Sequence, residues 1–344
     1  PWCARSGCSS WALEREPEQQ GVAGRESAYV LLIGGGRLQY RSFRRRALTG
    51  AMTDTTTQAS INDLIALLDL EEIEKNHYRA TSPSEGWQRV YGGQVIGQAL
   101  VAASRTVPEE RAAHSLHGYF LRAGDTAVPI LYKVDRIRDG RSFTTRRVVA
   151  IQHGRAIFNM SISFQVAEEG FDHQMPRPEA PGPEDLLDEQ ALRAAWVEKL
   201  PEEYADSFNS IRPIEVRPID PVNIFEPEQR PPHQMCWMKA RTPLPDDPSL
   251  HQCVLAYLSD WSLLDTAMLP HAVSFTQTNM QVASLDHAMW FHRPFRADEW
   301  LLYVQDSPSA SGARGLNRGL IYNADGLLVA SAAQEGLIRI HPDD

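Results

Sequence analysis

His117-Gly118-Tyr119-Phe120-Leu121-Arg122, moved on by 171 residues, lies on Ala288-Met289-Trp290-Phe291-His292-Arg293. Both are aromatic segments of strand length that end in arginine. The same shift sets Pro129-Ile130-Leu131-Tyr132 on Trp300-Leu301-Leu302-Tyr303. One residue of slippage, to 172, sets Arg146 on Arg318 and Gly154 on Gly326. Around these pairs, Thr144–Ser163 reads as strand, turn at Gln152-His153-Gly154, strand. Asn317–Ala333 reads as strand, turn at Asn323-Ala324-Asp325-Gly326, strand. Matching features in one order at one spacing define an internal repeat.

Upstream of these strands each copy is expected to carry a helix. In the first it is Gly93–Ser104, with apolar Val95, Ile96, Ala99, Leu100 and Ala103. In the second it is Asp260–Leu269, with Leu263, Leu264, Ala267 and Met268. A helix wrapped by a long, curved antiparallel sheet is the hotdog arrangement. Two copies in one chain predict an α+β, double hotdog fold, with units near residues 60–170 and 210–341. Between them, residues 171–209 read as a linker. Pro176, Pro178, Pro181 and Pro183 crowd its first part, and a charged helical segment follows at Glu184–Leu200. Alternation at Ile214-Glu215-Val216-Arg217-Pro218-Ile219 marks the first strand of the second unit.

The chain has 344 residues, is 42% hydrophobic and carries a formal charge of −10. That charge argues against a nucleic-acid partner. There is no apolar run long enough for a membrane span. Cys3, Cys8, Cys236 and Cys253 form no C-x-x-C pair and no histidine cluster has zinc spacing, so neither metal nor disulfide scaffold is expected. Residues 1–51 differ from the rest: eight Arg and four Glu, with no Lys or Asp. This Arg-rich leader suits a transit peptide or an extension outside the natural reading frame. Met52-Thr53-Asp54 reads as an ordinary start and favours the extension. A helix pattern follows at Ile61, Leu64, Ile65, Leu67 and Leu68, with Asp54 or Ser60 as possible caps. The C-terminal His341-Pro342-Asp343-Asp344 is not a peroxisomal Ser-Lys-Leu address, and the expected compartment is the cytoplasm.

Familiar catalytic signatures are missing. There is no G-x-S-x-G elbow, no dinucleotide fingerprint after a strand and no phosphate-binding loop. Three polar residues stand out instead. Asp260 opens the expected second helix, where a carboxylate is a good N-cap and would be kept ionised by the helix dipole. Such a group can also hold and deprotonate water. Ser284 ends an alternating run and reads equally as a strand-edge serine. Gln334, in Ala332-Ala333-Gln334-Glu335-Gly336, occupies an inward position where an apolar residue is expected. A satisfied buried amide is its ordinary reading. His114, His117, His287 and His292 suggest acid–base chemistry, but histidines among strand aromatics are usually structural.

Three segments carry a family resemblance. They are Tyr91-Gly92-Gly93-Gln94-Val95-Ile96-Gly97-Gln98-Ala99, His287-Ala288-Met289-Trp290-Phe291-His292-Arg293-Pro294-Phe295 and Ala310-Ser311-Gly312-Ala313-Arg314-Gly315. From about residue 60 to about 341 the chain resembles bacterial acyl-CoA thioesterase II, which has peroxisomal relatives. The resemblance implies a double hotdog, an acyl-CoA substrate, no cofactor and a homo-oligomer. It also implies direct attack by a water that an Asp, a Thr or Ser, and a Gln hold in place. These fall on Asp260, Ser284 and Gln334. This chain has serine where the better-known member has threonine, so the hydroxyl is kept and the restraining methyl is lost. Gly92 and Gly93 are expected to bind substrate, their backbone N–H groups facing the thioester oxygen. Two other readings stay open: a hotdog acyl-CoA hydratase or dehydratase, and a silent acyl-CoA binding protein.

Overall fold

The computed structural model describes residues 64–82, 89–196 and 212–342. The expected leader, the caps Asp54 and Ser60, and residues 197–211, which end the linker and begin the second unit, lie outside them. Residues 64–68 are helical, and Leu64 and Leu68 face the core.

The first half runs β1 (Glu71–Glu74), β2 (His77–Ala80), α1 (Gly92–Ser104), β3 (Arg111–Phe120), β4 (Ile130–Asp139), β5 (Phe143–Gln152) and β6 (Arg155–Val166). A short helix, α2 (Glu189–Trp196), lies in the linker. The second half runs β7 (Ile214–Pro218), β8 (His233–Ala240), α3 (Pro248–Ser259), β9 (Met280–Ser284), β10 (Asp286–Phe291), β11 (Leu301–Ser311), β12 (Arg314–Asn323) and β13 (Leu328–Ile340). The strands join one sheet in the order β1-β2-β4-β5-β6-β3-β10-β13-β12-β11-β8-β7, and β9 pairs with β13.

Read outward from the centre, the two halves present equivalent strands in the same order. At the centre β3 and β10 run antiparallel, with His117 opposite Ala288. These are the residues that the 171-residue shift superposes. A local twofold therefore passes through this pair, and each half covers an edge strand of the other. Strand burial follows the period of two: in β4, Ile130, Tyr132 and Val134 are buried while Leu131 and Lys133 are exposed. The β5–β6 hairpin closes through His153 at φ 50° and Gly154 at φ 69°, the two positive angles that a right-twisted hairpin needs.

On the inner side of the sheet α1 and α3 pack against each other. Ile96, Ala99 and Leu100 of α1 share one core with Val254, Leu255 and Leu258 of α3 and with Leu116 and Met289 of the central strands. At two glycines the helices meet backbone to backbone. A Cβ on Gly93 would sit 2.3 Å from the Tyr257 carbonyl oxygen, and one on Gly97 3.1 Å from that of Cys253. No larger residue allows so short an approach.

One expectation is corrected. The second helix is Pro248–Ser259, not Asp260–Leu269. Asp247 caps it, accepting from the Ser249 N–H at 2.9 Å, and Pro248 opens it. The stretch that looked helical holds two 3-10 turns, Leu264–Ala267 and Leu269–His271. The repeat offset holds along the strands but not at the helix. Residues 260–285 connect α3 to β10, whereas residues 105–110 suffice between α1 and β3. The residues whose apolar spacing read as a helix belong to this longer connection, which also supplies β9.

Candidate active site

The longer connection begins with Asp260, and its position corrects the reading of that residue as an N-cap. Asp260 is the C-cap of α3. It nevertheless meets a helix N-terminus, that of α1 in the other half: Asp260 Oδ2 accepts from the Gly93 N–H at 2.9 Å. α1 has no capping side chain of its own at Tyr91. Asp260 takes over this task across the local twofold and sits in the field of the helix's positive end. Gly92 leaves room for it, since a Cβ there would stand 2.7 Å from Asp260 Oδ2 and 3.0 Å from the Phe120 ring. Two residues on, Ser262 holds φ at 58°, so the chain leaves Asp260 by a left-handed step.

β9 and β13 deliver the other two side chains. Ser284 is opposite Gly336 in the β9–β13 ladder. Gln334, two residues earlier on β13, points to the same face and is 1% exposed. The Gln334 Nε2 amide donates to Asp260 Oδ1 at 2.8 Å and to Ser284 Oγ at 2.5 Å. Ser284 Oγ lies 3.5 Å from Asp260 Oδ1. The three residues singled out in the sequence thus converge on one point, drawn from the end of α3, from β9 and from β13. The amide orientation follows from these contacts, because only an N–H donor suits both a carboxylate and a hydroxyl oxygen here.

The surroundings are aromatic. The Tyr91 hydroxyl donates to the Tyr257 carbonyl, and the Tyr303 hydroxyl to the Ser259 carbonyl. Burial first, and then the Asp260 carboxylate, push the Tyr91 phenol well above its ordinary range. Trp261 is held from the linker: its Nε1 donates to Glu189 at 3.1 Å, and Arg212 stacks on its ring at 4.0 Å. Burial pushes the Cys236 thiol up to about 12, and that of Cys253 beyond it. Neither supplies a thiolate at neutral pH. Among the described residues no group of three His, Cys, Asp or Glu could hold a metal ion. No helix among them is long and apolar enough to cross a membrane.

Of the four histidines, three lie in ordinary settings. His114 contacts Ser163, His117 packs edge-on against Trp290, and His292 contacts Ser331. His287 is different. It is 1% exposed, its Nε2 lies 2.9 Å from Ser259 Oγ, and it neighbours Gln334. The signal that singled out Gln334, a polar side chain at an inward strand position, was present at His287 also.

Comparison with known proteins matches the chain to a family. Residues 82–165 match the family described as acyl-CoA thioesterase N-terminal domain, and residues 204–337 the one described as acyl-CoA thioesterase. The chain is 44% identical over 279 residues to acyl-CoA thioesterase 2 of Haemophilus influenzae, spanning 81% of this chain and 98% of that protein. It is 44% identical over 288 residues to acyl-coenzyme A thioesterase 8 of Mus musculus, spanning 80% of this chain and 89% of that one. The solved structure of acyl-CoA thioesterase II TesB2 from Mycobacterium marinum superposes with a TM-score of 0.66 at 46% identity, covering 80% of this chain and 98% of that one. A hot dog fold protein from Alicyclobacillus acidocaldarius superposes with a TM-score of 0.64 at 17% identity over 81% of this chain and 98% of that one, a likeness of fold alone. With the double hotdog, its converging polar groups and these relatives in view, the chain belongs to the acyl-CoA thioesterase family.

Proposed function

We propose that this acyl-CoA thioesterase works by direct attack of water on the thioester, with Asp260 as general base and Ser284 and Gln334 holding the water. The chain hydrolyses acyl-CoA to a free carboxylic acid and coenzyme A. The observation that carries the mechanism is the convergence of Gln334 Nε2 and Ser284 Oγ on Asp260 Oδ1, at 2.8 and 3.5 Å. A water placed against this trio donates one proton to the carboxylate and keeps a lone pair for attack. As its oxygen bonds to the carbonyl carbon, Asp260 takes the proton. The tetrahedral intermediate then expels the sulfur, and Asp260 returns the proton to the departing thiolate. No bond to the protein forms. A thioester carbonyl is electrophilic enough that orienting the water is the main task.

We assign the developing oxyanion to the start of α1, where Gly92 and Gly93 place backbone N–H groups at the positive end of the helix. The Gly93 N–H is engaged by Asp260. The Gly92 N–H, one residue earlier, is the donor we assign to the thioester oxygen. From the family resemblance we add a homo-oligomeric state, to be tested by light scattering; the cytoplasmic compartment expected from the sequence is to be tested by cell fractionation.

The test is release of free thiol from palmitoyl-CoA, followed with a thiol reagent, together with intact-mass measurement of protein quenched in mid-turnover. Thiol release without a mass increase is the expected result. A protein heavier by one acyl chain overturns water attack.

A further inference from the structure

We propose that His287 is a positioning residue for the attacking water: its Nδ1–H, in the tautomer set by Ser259, locks the side-chain amide of Gln334. This rests on the role given above to Gln334.

The β10–β13 ladder puts the two side chains together. Ala288 pairs with Ala333, and His287 and Gln334, one residue beyond on each strand, are neighbours. Both point to the inner face and both are 1% exposed. Two buried atoms in this pair have no partner, His287 Nδ1 and Gln334 Oε1. The Gln334 amide nitrogen is turned to Asp260 and Ser284, so its oxygen faces away from both.

Proton bookkeeping then selects the tautomer. The Ser259 hydroxyl lies 2.9 Å from the Ala256 carbonyl oxygen and 2.9 Å from His287 Nε2, and its one proton serves one of them. If Ser259 donates to Ala256, His287 carries its proton on Nε2. Its Nδ1 lone pair then faces the Gln334 oxygen lone pairs, and two buried acceptors stay unpaired. If Ser259 donates to Nε2, the proton sits on Nδ1 and both are satisfied by one hydrogen bond. The second arrangement makes a continuous chain: Ser259 donates to His287, His287 to Gln334, and Gln334 to Asp260 and Ser284. Burial lowers the pKa of His287, while Asp260, the Gln334 side chain and Asp286 act the other way. The chain works with a neutral ring. Its effect is to deny Gln334 the flipped amide, in which an oxygen would face the carboxylate.

Asparagine and glutamine divide the two ring nitrogens between them. His287→Asn keeps an N–H near the Nδ1 position and should hold kcat within about fivefold of wild type. His287→Ala should lower kcat by about tenfold to a hundredfold, the span for losing a partner that orients a working group. KM for palmitoyl-CoA should move by no more than about twofold. In a Gln334→Ala background, His287→Ala should cost less than about threefold, because the group it orients is gone. Ring 15N shifts of the wild-type protein, with His287 assigned by its loss in His287→Asn, should report a proton on Nδ1. A proton on Nε2 overturns the proposal without any variant having to fold. So does equal loss from His287→Ala in both backgrounds. If Gln334→Ala is impaired and His287→Ala is not, this inference alone falls. If Gln334→Ala is fully active, the water-holding role of Gln334 falls with it.

Discussion

The Gly93 N–H donates to Asp260 Oδ2 across 2.9 Å, so a side chain of the second half caps the helix of the first. Capping and the proposed role as general base therefore meet in one carboxylate, and two substitutions separate them. Asp260→Asn keeps an oxygen for the Gly93 N–H but removes the base. We expect kcat to fall by about 10²–10⁴ with KM nearly unchanged. Its melting temperature should stay close to wild type. Asp260→Ala removes the cap as well, and should cost about 0.5–2 kcal/mol of stability besides the activity. Thiol-release kinetics and calorimetry read the two effects apart. An Asp260→Asn enzyme with full activity would reduce Asp260 to a cap.

The adjacent glycines should fail in different ways. A Cβ on Gly93 meets the Tyr257 backbone oxygen at 2.3 Å, and backbone does not yield cheaply. Gly93→Ala must push α1 and α3 apart, at about 1–3 kcal/mol. A Cβ on Gly92 meets Asp260 Oδ2 at 2.7 Å, and a side chain can turn away. Gly92→Ala should therefore lose more activity than stability. Melting temperatures and kcat for both variants decide the matter. A Gly92→Ala protein that melts early but turns over normally contradicts this account.

What the sequence disclosed and what it concealed have one origin. Strands of a pseudo-dimer are held in register by their neighbours, so their spacing repeats, and the shift that aligns His117 with Ala288 also names a residue pair on the twofold. Connections are not so held. The longer second connection displaced the helix from its expected place, although Asp247-Pro248 was a legible cap and first turn. Asp260, Ser284 and Gln334 came from the family resemblance, and only their convergence required coordinates. That Asp260 caps α1 rather than opening its own helix was not readable, because a contact across the twofold leaves no trace in local spacing. His287 carried a local signal, a polar side chain at an inward strand position, but what that side chain meets did not show. Its surroundings are set by Ser259 at the end of α3, 28 residues away in the chain.

Ser284 tests the hydroxyl itself. Gln334 Nε2 donates to Ser284 Oγ at 2.5 Å, which leaves the hydroxyl proton for Asp260 or for water. Ser284→Thr keeps the hydroxyl and adds a methyl that narrows its rotamers. Its kcat should equal or modestly exceed that of wild type. Ser284→Ala removes a partner of both the water and Gln334 and should be clearly slower. Gln334→Ala should lose about 10–10³ in kcat, the span for one preorganised hydrogen-bonding group. The ranking fails if Ser284→Ala matches Ser284→Thr.

Asp265 sets a pH dependence of stability in the connection that begins with Asp260. It sits in the 3-10 turn Leu264–Ala267. Burial first, and then Glu189 and Asp260 nearby, raise its carboxyl from 3.8 to about 7, while Arg193 opposes them. Between those two values the unfolded chain has released this proton and the folded chain still holds it. The folded state binds more protons there, so this group makes stability fall as pH rises from 3.8 towards about 7, and the loss is complete above that. Asp265→Asn removes the titration and keeps the shape. Its melting temperature relative to wild type should climb from about pH 5 to about pH 7 and then level off. A difference independent of pH over that range would show that Asp265 ionises in the folded protein as it does in the unfolded chain.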